Sequence, residues 1–171
     1  MEIRKRNKLL MNDNFDTDTP IEIETRQKIG IQFIGKYIDP YIPLYGTEGS
    51  SGVDLRADIK EPLTLTPGKS YTIDTGLKFE LPHNFEGQVR SRSGLAFKYG
   101  AGVTHGMGTI DSDYTGEVKV FLTTLETFTI SPGDRIAQMV FAKVERVLFD
   151  FVDITEKSSR GSNGFGSTGM K

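Results

Sequence analysis

From Gly30 onward the chain is cut into short pieces in which apolar and β-branched residues alternate with polar ones. IGIQFIG, SYTIDTGLKFELP, FEGQVRSRS, GEVKVFLTTL, ETFTISPGD, RIAQMVFAKV and RVLFDFVDI all follow this pattern. Successive strand side chains point to opposite faces, so each piece suits a strand with one buried side. Turn sequences such as TPGKS, DYTG and SPGD carry Pro or Gly where β-turns demand a fixed or left-handed φ. Strand-like runs of about 4–8 residues, separated by turns every 8–12 or so, predict an all-β barrel or sandwich. Nineteen glycines in 171 residues favour many turns over long helices. Eleven Phe and six Tyr supply apolar bulk for a single core.

Several function classes recede on composition. A net charge of −2 gives no electrostatic case for a nucleic-acid polymer or an anionic membrane as partner. The absence of cysteine removes disulfides, thiolate metal sites and a cysteine nucleophile, and suits a reducing compartment. No apolar run approaches the roughly 18 residues of a membrane span. The N-terminus has no apolar secretory core. The expected location is the cytoplasm, or that of a host cell if the protein is viral. Residues 1–28 differ in texture: MEIRKRNKLL is basic and MNDNFDTDTP acidic. This stretch reads as an N-terminal extension, either a solvated arm or a segment that meets a regulatory protein partner. The core is expected over 29–157, and a glycine-rich segment closes the chain at 158–171.

One segment breaks the strand pattern. SGLAFKYG, 93–100, offers Ser93 as an N-cap, helix formers after it and Gly100 as a stop, and so predicts a short helix. Arg90 and Arg92 precede it. Two guanidiniums, a hydroxyl and free backbone amides suit a phosphate, although a plain capped helix with surface arginines has the same sequence.

The stretch GAGVTHGMGTIDSDYTGEV, 100–118, is punctuated by five glycines and holds Asp111, Asp113 and Tyr114. Glycines let a backbone approach a flat ligand closely. The paired carboxylates could bind a divalent cation or take a proton from water, or could simply form an acidic turn. His83 and His105 do not make a metal site, and no HExxH, GxSxG or Ser/His/Asp constellation is present.

Taken in order, five segments resemble the five motifs of the trimeric dUTPase family: SGVDLRA (51–57), RSGLA (92–96), GTIDSDYTGEV (108–118), PGDRIAQ (132–138) and RGSNGFGSTG (160–169). The resemblance runs from about residue 29 to the end. It implies a jelly-roll-like β-barrel with one short helix, assembled as a homotrimer whose active sites draw motifs from all three chains. It also implies hydrolysis of dUTP to dUMP and pyrophosphate with Mg²⁺ on the triphosphate. That activity keeps uracil out of DNA and supplies dUMP for dTMP synthesis.

The family's roles carry over residue by residue. Asp111 would orient and deprotonate the attacking water. Tyr114 would pack on the deoxyribose and exclude a 2′-hydroxyl. Backbone from about Gly102 to Ile110, Thr109 included, would form a hairpin that reads the uracil edge. Arg92, Ser93, Gly94 and Gln138 would stabilise charge on the phosphates, and Asp54 would support the metal indirectly through water or support the arginine network. Arg56 would be structural. At His105 many bacterial relatives carry an asparagine that contacts uracil, and Lys119 would meet nucleotide through its main chain. In the tail, Arg160 would reach the phosphates of a neighbouring subunit, Phe165 would cover the uracil ring, and Gly166, Ser167 and Thr168 would wrap the triphosphate as a lid. dCTP deaminase shares the fold, but TIDSDYTG has the aspartate–tyrosine spacing of the dUTPases.

Overall fold

The alternating pieces become eleven short strands and one helix in the computed structural model, which describes residues 27–153 and Gly161. The strands are β1 (Gly30–Phe33), β2 (Val53–Arg56), β3 (Leu63–Leu65), β4 (Tyr71–Asp74), β5 (Leu77–Glu80) and β6 (Phe85–Arg90). After helix α1 (Ser93–Tyr99) come β7 (Gly102–Val103), β8 (Met107–Ile110), β9 (Lys119–Thr123), β10 (Phe128–Ile130) and β11 (Arg135–Lys143). Most of the N-terminal extension and the tail with Arg160, Phe165, Gly166, Ser167 and Thr168 lie outside the described residues.

All strand pairs are antiparallel, in four open sheets: β2-β11-β6-β8, β4-β9-β7, β1-β5 and β10-β3. This corrects the expected barrel. The all-β character and the short helix hold, but no sheet closes on itself among the described residues. A barrel needs an unbroken ladder around the ring. Here the ladder breaks between β7 and β8, the two arms expected to form one hairpin: β7 pairs with β9, and β8 with β6. The chain therefore crosses from one sheet to another at residues 104–106.

The buried faces meet in one apolar cluster. Leu55, Val89 and Met139 come from the four-stranded sheet, Ile73, Val120 and Leu122 from the three-stranded one, and Leu65, Leu77 and Ile130 from the two pairs. Each of these nine is at most 2 % exposed, and full burial of such a side chain is worth about 1.5–3 kcal/mol. Buried polar groups are satisfied. Asp58 accepts the backbone N–H groups of Lys36, Tyr37 and Ile38 at 2.8–3.1 Å, tying the loop after β1 to the core. Thr75 donates to the Val118 carbonyl at 2.6 Å.

Helix α1 begins one residue earlier than its sequence suggests. Its N-cap is Arg92, extended at φ −91°, ψ 128°, with no side-chain cap, so Ser93 is the first helical residue and its hydroxyl is not used in capping. Gly100 ends the helix in the left-handed conformation, φ 58° and ψ 26°, and returns its N–H to the Ala96 carbonyl. Leu95 is half-buried against the core, and the other helical residues before Tyr99 are exposed. The helix is pinned by Tyr99, whose ring stacks on Phe128 with centroids 4.2 Å apart and planes within 5°.

Candidate active site

Three neighbouring strands carry the polar side chains of an open cavity of about 470 Å³. Gln138 on β11 stands opposite Asp54 of β2 on one side and Arg90 of β6 on the other. Arg92, Ser93 and Gly94 enter from the junction of β6 and α1. The structure thus gathers Asp54, Arg92, Ser93, Gly94 and Gln138, which belong to three separate motifs, around one space.

It also adds Arg135. The register slips between Arg135 and Ala137, a β-bulge in which Ile136 and Ala137 are both buried. On a regular strand residues 135 and 138 would face opposite sides, being three apart. The extra residue resets the phase, so Arg135 and Gln138 line the same cavity. Strand alternation read from PGDRIAQ puts Arg135 on the wrong face, which is why the sequence conceals it.

Asp54 is the hub. Arg92 Nε lies 2.9 Å from its Oδ1, and Arg135 Nη1 donates to its Oδ2 at 3.1 Å. Arg92 also donates through Nη1 to the Arg135 carbonyl at 3.1 Å. One carboxylate holds two guanidiniums in fixed directions, while Arg90 bonds the side chain of Gln88. Gln138 donates from Nε2 to the Ser91 carbonyl at 2.9 Å, its side chain lying against Gly52 where a Cβ would stand 2.7 Å from Oε1. Arg90, Arg92 and Arg135 against Asp54 leave the cavity positive, as a polyanion requires. Arg56 turns elsewhere: it donates to the Gly133 carbonyl at 3.0 Å and sits over the Tyr41 ring. Burial pushes the Tyr41 hydroxyl from 10.0 to about 12, against the lowering effect of the Arg56 N–H bonded to it.

The donor set does not suit a bare cation. No group of three or more His, Asp or Glu side chains gathers to hold a metal among the described residues. Both Asp54 oxygens already face arginines, and what remains on them is accepting capacity for a water molecule. These residues fit a metal that arrives on an anion and is met through its water shell.

The remaining predicted residues form a second group along the chain from β7 to β9, and none of them lines the cavity. His105 has φ 63°, the only positive value at a non-glycine residue among those described, at the third position of a turn closed by Gly106 N–H to the Val103 carbonyl. Asn and His are among the few side chains that tolerate this backbone. A conformational demand therefore constrains position 105, whatever the side chain contacts. Thr109 and Ile110 pair with Gln88 and Gly87 across β8 and β6. Asp111 follows directly, exposed, its carbonyl accepting the Tyr114 N–H at 3.1 Å in a tight turn. Tyr114 is 44 % exposed, and its hydroxyl donates to the Glu117 carbonyl at 2.9 Å. Lys119 opens β9 and bonds Asp74 at 2.8 Å, a contact that raises its pKa.

Open antiparallel sheets around one core, with Arg90, Arg92 and Arg135 lining one cavity at the start of α1, mark a β-protein whose cavity suits an anionic small molecule. A statistical model of the dUTPase family matches residues 40–169. The deoxyuridine 5′-triphosphate nucleotidohydrolase of Chlamydia trachomatis serovar L2 is 51% identical over 133 residues, 75% of this chain and 90% of that protein. The enzyme of the same name from Rhizobium etli is 47% identical over 154 residues, covering 88% and 99%. Among solved structures, the dUTPase of Staphylococcus bacteriophage 80alpha with dUPNHPP superposes with a TM-score of 0.72 at 23% identity, covering 84% and 99% of the two chains. A mutant dUTPase from phage phi11 of S. aureus, whose structure coordinates a structural Mg(II) ion, gives 0.67 at 18% identity, covering 76% and 99%. The chain belongs to the dUTPase family, and it is a hydrolase of pyrimidine nucleotide metabolism.

Proposed function

We propose that this dUTPase cleaves dUTP to dUMP and pyrophosphate by in-line attack of a water molecule held at Asp111 on the α-phosphorus. The water oxygen bonds to phosphorus as the bond to the bridging oxygen breaks. Pyrophosphate leaves with the electron pair, and the water proton passes to the Asp111 carboxylate and on to solvent. A carboxylate is a weak base, so positioning must supply much of the rate. The observation that carries this reading is the Asp54-centred pair of arginines beside Gln138 and Ser93. Aimed in advance by Asp54, Arg92 meets phosphate charge without reorganising. Bound on the triphosphate, Mg²⁺ would neutralise part of its charge, and Asp54 would hold that ion indirectly, through water.

The uracil edge is read by backbone of 102–110. A close-fitting wall there leaves no room for a 5-methyl group and mispairs cytosine, and unpaired buried polar groups make such errors costly. Tyr114 covers the deoxyribose and refuses a 2′-hydroxyl.

The site is shared in a homotrimer. Within one chain Asp111 and Tyr114 do not line the phosphate cavity, so a neighbour's nucleoside-reading segment is needed to complete it. The stretch 144–153 supports assembly. It runs outside any strand, with Leu148, Phe149 and Phe151 at 101, 92 and 109 % exposure, surface that another subunit must cover to be stable in water. The tail, including Arg160 and Phe165, closes over bound nucleotide and opens for product release.

Pyrophosphate release from a panel of dNTPs and UTP, with wild type and Asp111→Asn, tests the reading, with light scattering for the trimer. We expect turnover of dUTP alone, lost in the variant. Turnover of dCTP, or none of dUTP, refutes it.

A further inference from the structure

Tyr114 is held over a turn that leaves no space for a side chain at Gly116. A Cβ built there collides with the Tyr114 hydroxyl, stands 2.5 Å from the ring carbon that bears it and 2.9 Å from a second ring carbon. Contacts this short do not occur between real atoms, so the ring and a Cβ cannot share the space. Nor does Gly116 have the positive φ that marks Gly100 and Gly106. A left-handed φ is therefore not the reason for glycine at 116, and the three atoms a Cβ would meet first all belong to the Tyr114 side chain. The ring in turn is oriented by its hydroxyl, which donates to the Glu117 carbonyl at 2.9 Å. Glu117 is itself fixed, its Oε1 accepting the Gly76 N–H at 2.8 Å.

We infer that Gly116 is a positioning residue for sugar specificity: its missing Cβ lets the Tyr114 ring lie over the 114–117 turn in the one orientation that closes against a 2′-hydroxyl. The inference rests on the Tyr114 role proposed above. A methyl group at 116 evicts the ring, breaks its bond to Glu117 and opens the sugar wall. The cavity around Asp54 is untouched, because Gly116 does not line it.

The test compares kcat/KM for dUTP and UTP in wild type, Gly116→Ala, Tyr114→Ala and the double variant, with tyrosine-ring NMR signals of Gly116→Ala. The expected result is that Gly116→Ala still hydrolyses dUTP while its preference over UTP falls about tenfold or more. Its Tyr114 ring signal should shift, and Gly116→Ala should change nothing further once Tyr114 is alanine, because no ring is left to displace. If Gly116→Ala alone does not fold, the double variant, which has room for the Cβ, should fold and show the preference of Tyr114→Ala. An unmoved Tyr114 signal, an unchanged preference in Gly116→Ala, an equal effect of Gly116→Ala with and without the ring, or a double variant that also fails to fold overturns the inference. A shifted ring signal with an unchanged preference in Tyr114→Ala instead sinks the sugar-recognition reading and leaves Gly116 only as a fixer of the ring.

Discussion

Replacing Asp54 by asparagine keeps the shape and removes the charge. The carboxylate accepts Arg92 on one oxygen and Arg135 on the other, at 2.9 and 3.1 Å. An amide has one acceptor and one donor face, so one guanidinium is left facing N–H groups. Hydrogen bonds to charged groups contribute about 1.5–3 kcal/mol, but the Asp54 and Arg92 side chains are 23 % and 26 % exposed and Arg135 52 %. Solvent screening discounts the pair with Arg135 to about 0–1 kcal/mol. The expected loss of stability is therefore about 1–2 kcal/mol, read as a urea midpoint lower by roughly 0.5–1 M with unchanged slope. The measurement belongs at fixed protomer concentration, since assembly contributes to stability. The effect on catalysis should be larger. A freed Arg92 would lose the direction proposed for meeting the phosphates, and a misplacement of about 1 Å costs about 100-fold in rate. Pyrophosphate release under saturating and limiting dUTP separates the two effects. A variant with wild-type kcat/KM and an unmoved urea midpoint would refute the claim that Asp54 organises the site.

Arg135→Ala should raise KM and lower kcat, because Arg92 loses the neighbour that flanks Asp54; an unaltered steady-state profile would show that the bulge in β11 serves packing only. Gly100→Ala forces a left-handed φ on a residue whose Cβ would lie 2.7 Å from Leu125, so thermal unfolding should report a loss of about 1–3 kcal/mol; an unshifted melting curve would contradict this. Deletion after Lys157 should leave the oligomer intact by light scattering while turnover collapses, and surviving activity would refute the proposed role of the tail as a lid. The raised folded pKa of Tyr41 means that the native state holds its proton more tightly than the unfolded chain, so that contribution is complete below pH 10 and is lost as pH rises from 10 toward about 12. An ultraviolet alkaline titration should show one tyrosine ionising late, together with unfolding, and titration of all six near pH 10 would contradict the burial.

Much was legible because it is local. Alternation in LKFE, FEGQVR and KVFLT fixes which face of each strand is buried, and Gly100 ends a helix for a reason contained in its own backbone. The motif residues are equally local, since Asp54, Arg92, Ser93 and Gln138 each sit in a short string that identifies the family without any knowledge of how the strings meet. Only the tertiary structure decided the rest, because strand partners are chosen by contacts between distant segments. THGM looks like the tip of one hairpin, yet its two arms pair with β9 and β6, and the barrel inferred from the family resemblance is a set of open sheets. Arg135 joins the site only because a one-residue slip against β2 turns it to the face of Gln138. Gly116, one glycine among nineteen in the sequence, takes its meaning from a tyrosine ring two residues away that folds back over it. Side-chain identity and spacing set the chemistry available; pairing, register and close contact determined which of those groups could act together.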